Sequence, residues 1–260
     1  KINYQDRDDL LLITFSKGTS VAGVFTKSST SSAAVKWCKK NIRSTEARAI
    51  IISAGNANVF TGKAGFNAVK KIVSTTASSL NLTKKEVLIA QTGVIGEPLD
   101  YVKIINCISN LSKAQKDDHW LEGAKAIMTT DTFPKHYSLG FKVGNKKINI
   151  TGIAKGSGMI APNMATMLSF ISTDLNISKT ILQELLKEIS EETFNSITVD
   201  GDTSTSDTVI LSATGKAENN KVTNQISEEY KNFKTALFSV CKNLALQIVR
   251  DGEGASKLIT

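Results

Sequence analysis

Apolar and polar positions recur along the chain with two periods, one of strands and one of helices, and together they predict a mixed α/β fold. Leu10-Leu11-Leu12-Ile13-Thr14-Phe15 and Val21-Ala22-Gly23-Val24-Phe25-Thr26 are apolar at nearly every position. Joined by the turn Ser16-Lys17-Gly18, they read as a β-hairpin covered on both faces. Residues 32–42 suit a short helix anchored by Trp37, and residues 49–53 another buried strand. A helix is expected over 64–74, with Phe66, Val69 and Val73 on one face. The strand Val87-Leu88-Ile89-Ala90 runs into Gln91-Thr92-Gly93, and helices are expected over 102–112 and 117–128. Residues 129–135 form a loop; Phe141 to Val143 and Ile148 to Ile150, around Gly144-Asn145, make an alternating hairpin.

The second half repeats the alternation. Met167-Leu168-Ser169-Phe170-Ile171 is a short apolar strand. Ser178 caps a helix whose face is Leu182, Leu185, Leu186 and Ile189. Residues 208–213 are a strand, and residues 228–249 a long helix with Phe233, Leu237, Val240, Leu244 and Ile248 on one stripe. Asp251-Gly252-Glu253-Gly254 stops it. Ser256-Lys257-Leu258-Ile259-Thr260 reads as the start of a further strand. No composition break forces a domain boundary, and the chain has no repeat or low-complexity tract.

At 260 residues and 41% hydrophobic, the chain can bury a sizeable core. No apolar run approaches the ~20 residues that span a bilayer, and the first residues have no apolar signal core, so cytoplasm is the expected compartment. The net charge of +8 raises nucleic acid as a partner. Yet the excess is scattered lysine without interleaved aromatics, which describes a solvated surface, or a field for an anionic substrate, and argues against nucleic acid. Cys38, Cys107 and Cys241 are odd in number, far apart and inside elements, as for buried reduced thiols.

Candidate chemistry concentrates between the hairpin and the apolar strand. Lys155-Gly156-Ser157-Gly158 is a loop that permits close backbone approach, and Pro162 stiffens the chain beyond it. Thr166 then opens the strand behind the small Ala165. A threonine hydroxyl is a weak nucleophile that needs a base. Breaking the Ala165–Thr166 bond would supply one, since an α-amine of pKa about 7.7–8.0 is partly neutral near pH 7. The hydroxyl itself could break that bond by attacking the Ala165 carbonyl, giving an ester that water opens. Residue pattern alone equally describes a strand-initial threonine after a glycine turn, and favours that plainer reading.

The remaining constellations are weaker. Thr92-Gly93 after a buried strand can aim amides and a hydroxyl at one oxyanion, though most Thr-Gly pairs are turns. Asp200-Gly201-Asp202-Thr203-Ser204-Thr205 lacks the sixth-position glycine and terminal glutamate of a calcium loop, so no metal is expected. His119 and His136 have no glycine-flanked serine elbow to serve. There is no dinucleotide fingerprint or phosphate loop, which suits chemistry without a cofactor.

The run Lys155-Gly156-Ser157-Gly158-Met159-Ile160-Ala161-Pro162-Asn163-Met164-Ala165-Thr166-Met167-Leu168 closely resembles the self-cleavage segment of the ornithine acetyltransferases (glutamate N-acetyltransferases) of arginine biosynthesis. Thr92-Gly93-Val94-Ile95-Gly96-Glu97-Pro98, Ala126 to Lys135, Asp200 to Thr205 and Asp251-Gly252-Glu253-Gly254-Ala255 are similar to further family segments. The resemblance covers essentially the whole chain. It implies mixed β-sheets layered between helices, and two pieces, 1–165 and 166–260, assembling as a heterotetramer of two copies of each. It also implies Thr166 as nucleophile, Thr92 and Gly93 as oxyanion hole, and Thr129, Lys155 and Glu253 as substrate contacts. The implied reaction passes acetyl from N-acetylornithine through Thr166 to glutamate, releasing ornithine and N-acetylglutamate; some members accept acetyl-CoA as a co-substrate. Against the family, both ends look short, and the C-terminal segment that completes the pocket is missing. Two other readings remain open: a threonine aminohydrolase or aminopeptidase with water as acceptor, and an unprocessed, non-catalytic fragment.

Overall fold

The computed structural model describes residues 2–43, 46–161 and 167–259. In chain order the elements are β1 (Leu10–Thr14), β2 (Ser20–Phe25), α1 (Ala33–Asn41), β3 (Ala49–Asn56), α2 (Gly62–Ser79), β4 (Val87–Val94), α3 (Tyr101–Lys113) and α4 (Trp120–Ala126). Next come β5 (Lys135–Val143), β6 (Lys146–Lys155), β7 (Leu168–Thr173), α5 (Lys179–Glu192), β8 (Thr208–Ala213) and α6 (Glu228–Arg250). Serines start three of the helices: Ser32, Ser178 and Ser227 accept the amides of Val35, Ile181 and Tyr230. Among the described residues, no helix is long and apolar enough to cross a membrane.

The strands form two sheets, one of order β1-β3-β4 and one of order β2-β8-β7-β6-β5. Alternation across β7 and β8 separates two cores. Ile171, Val209 and Leu211 face α5 and α6, against Leu182, Leu185, Phe233, Leu237 and Leu244. Leu168, Phe170 and Ile210 face the other way, into a core shared with Ile50, Ile52, Leu88 and Val69. The mixed α/β architecture of sheets between helices is therefore present, and the site lies where strands of the larger sheet begin and end.

Several sequence expectations need correction. β1 and β2 are not a hairpin. β1 pairs antiparallel with β3, and β2 pairs antiparallel with β8 in the other sheet. Nor are both faces covered: each is an edge strand, β1 half-buried at best and β2 buried only at Val21 and Ala22, and residues 15–19 carry the chain between the sheets. Thr92 and Gly93 are not a turn after β4 but belong to its last residues, paired in parallel register with Ala54 and Gly55. The β5–β6 hairpin is present and much longer than its alternating centre, running from Lys135 to Lys155. α4 covers only part of 117–128, because Asp118 takes a positive φ of 65° before it. Residues 256–259 form no strand. All three cysteines are free; Cys38 and Cys241 are buried, whereas Cys107 is only half-buried.

Candidate active site

Register places three strand ends in one row: Lys155 of β6 stands opposite Leu168 of β7, which stands beside Thr208 of β8. Around that row gather the loop after α4, the glycine-serine loop after β6, the 200–207 loop before β8 and the turn after α6. Ala165 and Thr166 lie outside the described residues.

Lys155 is 2% exposed. Its ammonium donates to Thr129 Oγ1 at 2.7 Å and stands 3.9 Å from Asp131 Oδ2. Asp131 is the hub of the loop. Its Oδ2 accepts the Thr129 amide at 2.9 Å, and its Oδ1 accepts the Gly156 amide at 2.7 Å. Lys135, at the first position of β5 and wholly buried, donates to Asp131 Oδ1 at 2.7 Å and to Asp251 Oδ2 at 2.6 Å. Asp251 also accepts the Thr132 amide and hydroxyl. Two buried ammoniums thus meet two buried carboxylates, the arrangement that makes burial of such charges tolerable.

Glu253 is joined to this cluster from the solvent side. Its amide donates to the Ser157 carbonyl at 2.8 Å, and Ser157 Oγ donates to Glu253 Oε1 at 3.3 Å. Ser157 Oγ also contacts Thr130 Oγ1 at 2.8 Å. A Cβ at Gly158 would fall 2.7 Å from Glu253 Oε2, so glycine there lets the carboxylate lie against the loop.

The electrostatics follow from burial. Burial pushes the Lys155 ammonium below the ordinary lysine value, opposed by the charge of Asp131 and, more weakly, by Asp207 and Glu253. Burial would raise Asp131, but the charges of Lys155 and Lys135, with the Lys135 and Gly156 hydrogen bonds, hold it below the ordinary carboxylate value.

Thr92 and Gly93 stand on the smaller sheet. The N-terminal segment links that edge to the lysine cluster: Asn3 Nδ2 donates to Ala54 O at 2.7 Å beside Gly55, and Arg7 donates to Thr129 O at 2.8 Å. Gly93 has φ 125°, and a Cβ there would meet the Gly55 carbonyl carbon at 2.3 Å. This close approach admits only glycine. Thr92 itself is buried.

Lys155, Thr129 and Glu253 are therefore brought together. Sequence reasoning missed Asp131, Lys135, Asp251 and Asp207. A signal existed for the first three, because charged residues sit at the heads and ends of apolar elements within the motifs already singled out. The 200–207 loop has its own role. Asp200 accepts the amides of Met159 and Ile160, and Asp207 Oδ1 accepts the Met167 amide at 2.8 Å. Its carboxylates hold backbone on both sides of residues 162–166.

Known proteins are similar to this chain along its length. The ArgJ family model matches residues 1–260. The Arginine biosynthesis bifunctional protein ArgJ of Bartonella henselae is 50% identical over 258 residues, covering 99% of this chain and 63% of the relative. The chain thus spans less than two thirds of the length of the curated relatives it matches. The crystal structure of the Arginine biosynthesis bifunctional protein argJ of Bacillus halodurans matches at 31% identity with a TM-score of 0.52, over 62% of this chain and 85% of that one. A Burkholderia sp. beta-aminopeptidase shares the fold alone, at 12% identity and a TM-score of 0.56 over 96% of this chain and 81% of its own. With a match along its whole length and half its residues identical to a relative's, this chain belongs to the ArgJ family.

Proposed function

We propose that this chain is the self-splitting, threonine-dependent acyltransferase of arginine biosynthesis that its family membership suggests, moving acetyl from N-acetylornithine to glutamate. The observation that carries the reading is Lys155. Its ammonium has three hydrogens, and among the described residues it makes one hydrogen bond, to a neutral hydroxyl. A buried ammonium with donors to spare is suited to a substrate carboxylate, which N-acetylornithine and glutamate both carry. Glu253, close by and exposed, suits the amine that ornithine has and glutamate lacks.

In this reading the Thr166 hydroxyl first attacks the Ala165 carbonyl, and water opens the resulting ester, leaving pieces 1–165 and 166–260. The new α-amine then takes the hydroxyl proton as Thr166 attacks the acetyl carbonyl. The amide of Gly93 and the hydroxyl of Thr92 serve the oxyanion. Collapse breaks the acetyl C–N bond, and ornithine leaves with that proton. The glutamate amine attacks acetyl-threonine in the second half, regenerating the hydroxyl. Acetyl-CoA fits the same scheme as a second donor, with its thiol as leaving group.

Mass spectrometry of the purified protein tests the first step. Two pieces split at Ala165/Thr166 are expected, and one intact chain from Thr166→Ala. An intact parent, or a split that persists in Thr166→Ala, contradicts the proposal. Product analysis with and without glutamate separates acetyl transfer from hydrolysis.

A further inference from the structure

Lys155 and Glu253, the two charges assigned to the ends of the donor, meet across the short run Gly156-Ser157-Gly158. Lys155 is the last residue of β6. The next amide, that of Gly156, donates at 2.7 Å to Asp131 Oδ1, on the same carboxyl whose Oδ2 stands 3.9 Å from the Lys155 ammonium. The Ser157 carbonyl accepts the Glu253 amide at 2.8 Å. The buried Ser157 hydroxyl lies between Thr130 Oγ1 at 2.8 Å and Glu253 Oε1 at 3.3 Å. One loop therefore ties the cation through its first residue and the anion through its second.

Gly158 acts on the anion differently. A Cβ there would fall 2.7 Å from Oε2, 2.8 Å from Cδ and 3.1 Å from Oε1 of Glu253. All three atoms are the far end of one exposed, flexible side chain. The φ of Gly158 is not positive, so the backbone does not call for glycine. What glycine supplies at this position is room for a carboxylate. That carboxylate has acceptor capacity to spare, since among the described residues it takes one hydrogen bond, from Ser157.

We propose that Ser157 and Gly158 set the preference of this site for a diamino substrate, Gly158 by leaving the Glu253 carboxylate against the loop and Ser157 by fixing its Oε1. The proposal rests on the reading that Lys155 takes the substrate carboxylate and Glu253 the side-chain amine. Both residues are then positioning residues that act through Glu253.

Ornithine and norvaline test this, because they share a backbone and a three-carbon side chain and differ in the terminal amine. Calorimetric titration of the purified protein should find ornithine bound roughly ten- to a hundredfold more tightly than norvaline, the effect of one charge-assisted contact. Gly158→Ala turns the carboxylate out to solvent, so ornithine affinity should fall to near that of norvaline while norvaline affinity holds. A merely structural role would weaken both ligands alike. Equal weakening, or an unchanged preference in a folded Gly158→Ala, overturns the proposal. Should that variant not fold, Ser157→Ala, which adds no atoms, decides in the same way: a reduced preference supports the proposal and an unchanged one overturns it. A parent that binds both ligands equally overturns this proposal and the reading beneath it. A preference that Glu253→Gln removes but the loop variants keep overturns only this one.

Discussion

Lys135 and Lys155 have the same side chain and nearly the same burial, yet opposite consequences. Lys135 gives its hydrogens to Asp131, Asp251 and the Phe133 carbonyl, so nothing is left for a ligand. Lys155 meets one hydroxyl, with a carboxylate only at 3.9 Å. The two should separate on substitution. Lys155→Met removes a charged hydrogen bond worth about 1.5–3 kcal/mol, so KM should rise roughly ten- to a hundredfold for acetylornithine and glutamate alike, with a folded protein. Lys135→Met takes the ammonium from buried Asp251, leaving Asp131 only Lys155 at 3.9 Å, and should cost about 3–5 kcal/mol of stability in urea unfolding. Initial rates against each substrate, beside the unfolding curves, check both. Unchanged KM values in Lys155→Met would remove that residue from the pocket. Sequence identifies Lys155 through the motif around it, but whether a lysine is saturated depends on neighbours distant in the chain, and Asp251 is 116 residues from Lys135.

At the scale of elements, β4 shows how packing extends what local pattern predicts. Its apolar run ends at Ala90, yet the strand continues through Gln91, Thr92 and Gly93 because β3 runs parallel beside it. The extension presses Gly93 onto Gly55, where no Cβ fits. Gly93→Ala should therefore lower stability by at least about 2 kcal/mol, combining strain at positive φ with a clash against backbone. Gly96→Ala is the control: φ is 82° there too, but a Cβ meets nothing within 4 Å, and only the conformational cost of about 1 kcal/mol is expected. Denaturation midpoints of the two variants make the comparison; equal losses would show that the close approach does not matter. Helices are the more legible elements. α5 and α6 begin at serine caps and carry their apolar stripes as the 3.6-residue period requires. α4 is less legible because Asp117 and Asp118 resemble first-turn acids, whereas the backbone at Asp118 is left-handed.

At the scale of the molecule, the larger sheet interleaves the two proposed pieces. β2, β5 and β6 come from 1–165, and β7 and β8 from 166–260. β7 is bonded to β6, and β8 to β2. Splitting the chain at Thr166 would leave every one of these ladders in place, together with the cores on both sides of the sheet. The two pieces should accordingly co-elute on native size exclusion and separate only in denaturant. Pieces that part under native conditions would be incompatible with this sheet order.

Sequence by itself determined the type of most elements, the caps of the major helices and the motifs that carry the chemistry. Those properties are local, written in periods of two or 3.6 residues and in contiguous runs such as the one around Thr166. Only the tertiary structure decided which strands are partners. Both apolar strands at the start of the chain are satisfied by any buried neighbour, so the hairpin pairing and the observed division between two sheets look alike in sequence. The same holds for the site. Asp131 between two lysines, Glu253 against Gly158, and Asp207 on the Met167 amide each join residues far apart in the chain. A carboxylate's role there is set by burial and by which donors reach it, and these exist only once the strand ends share one row.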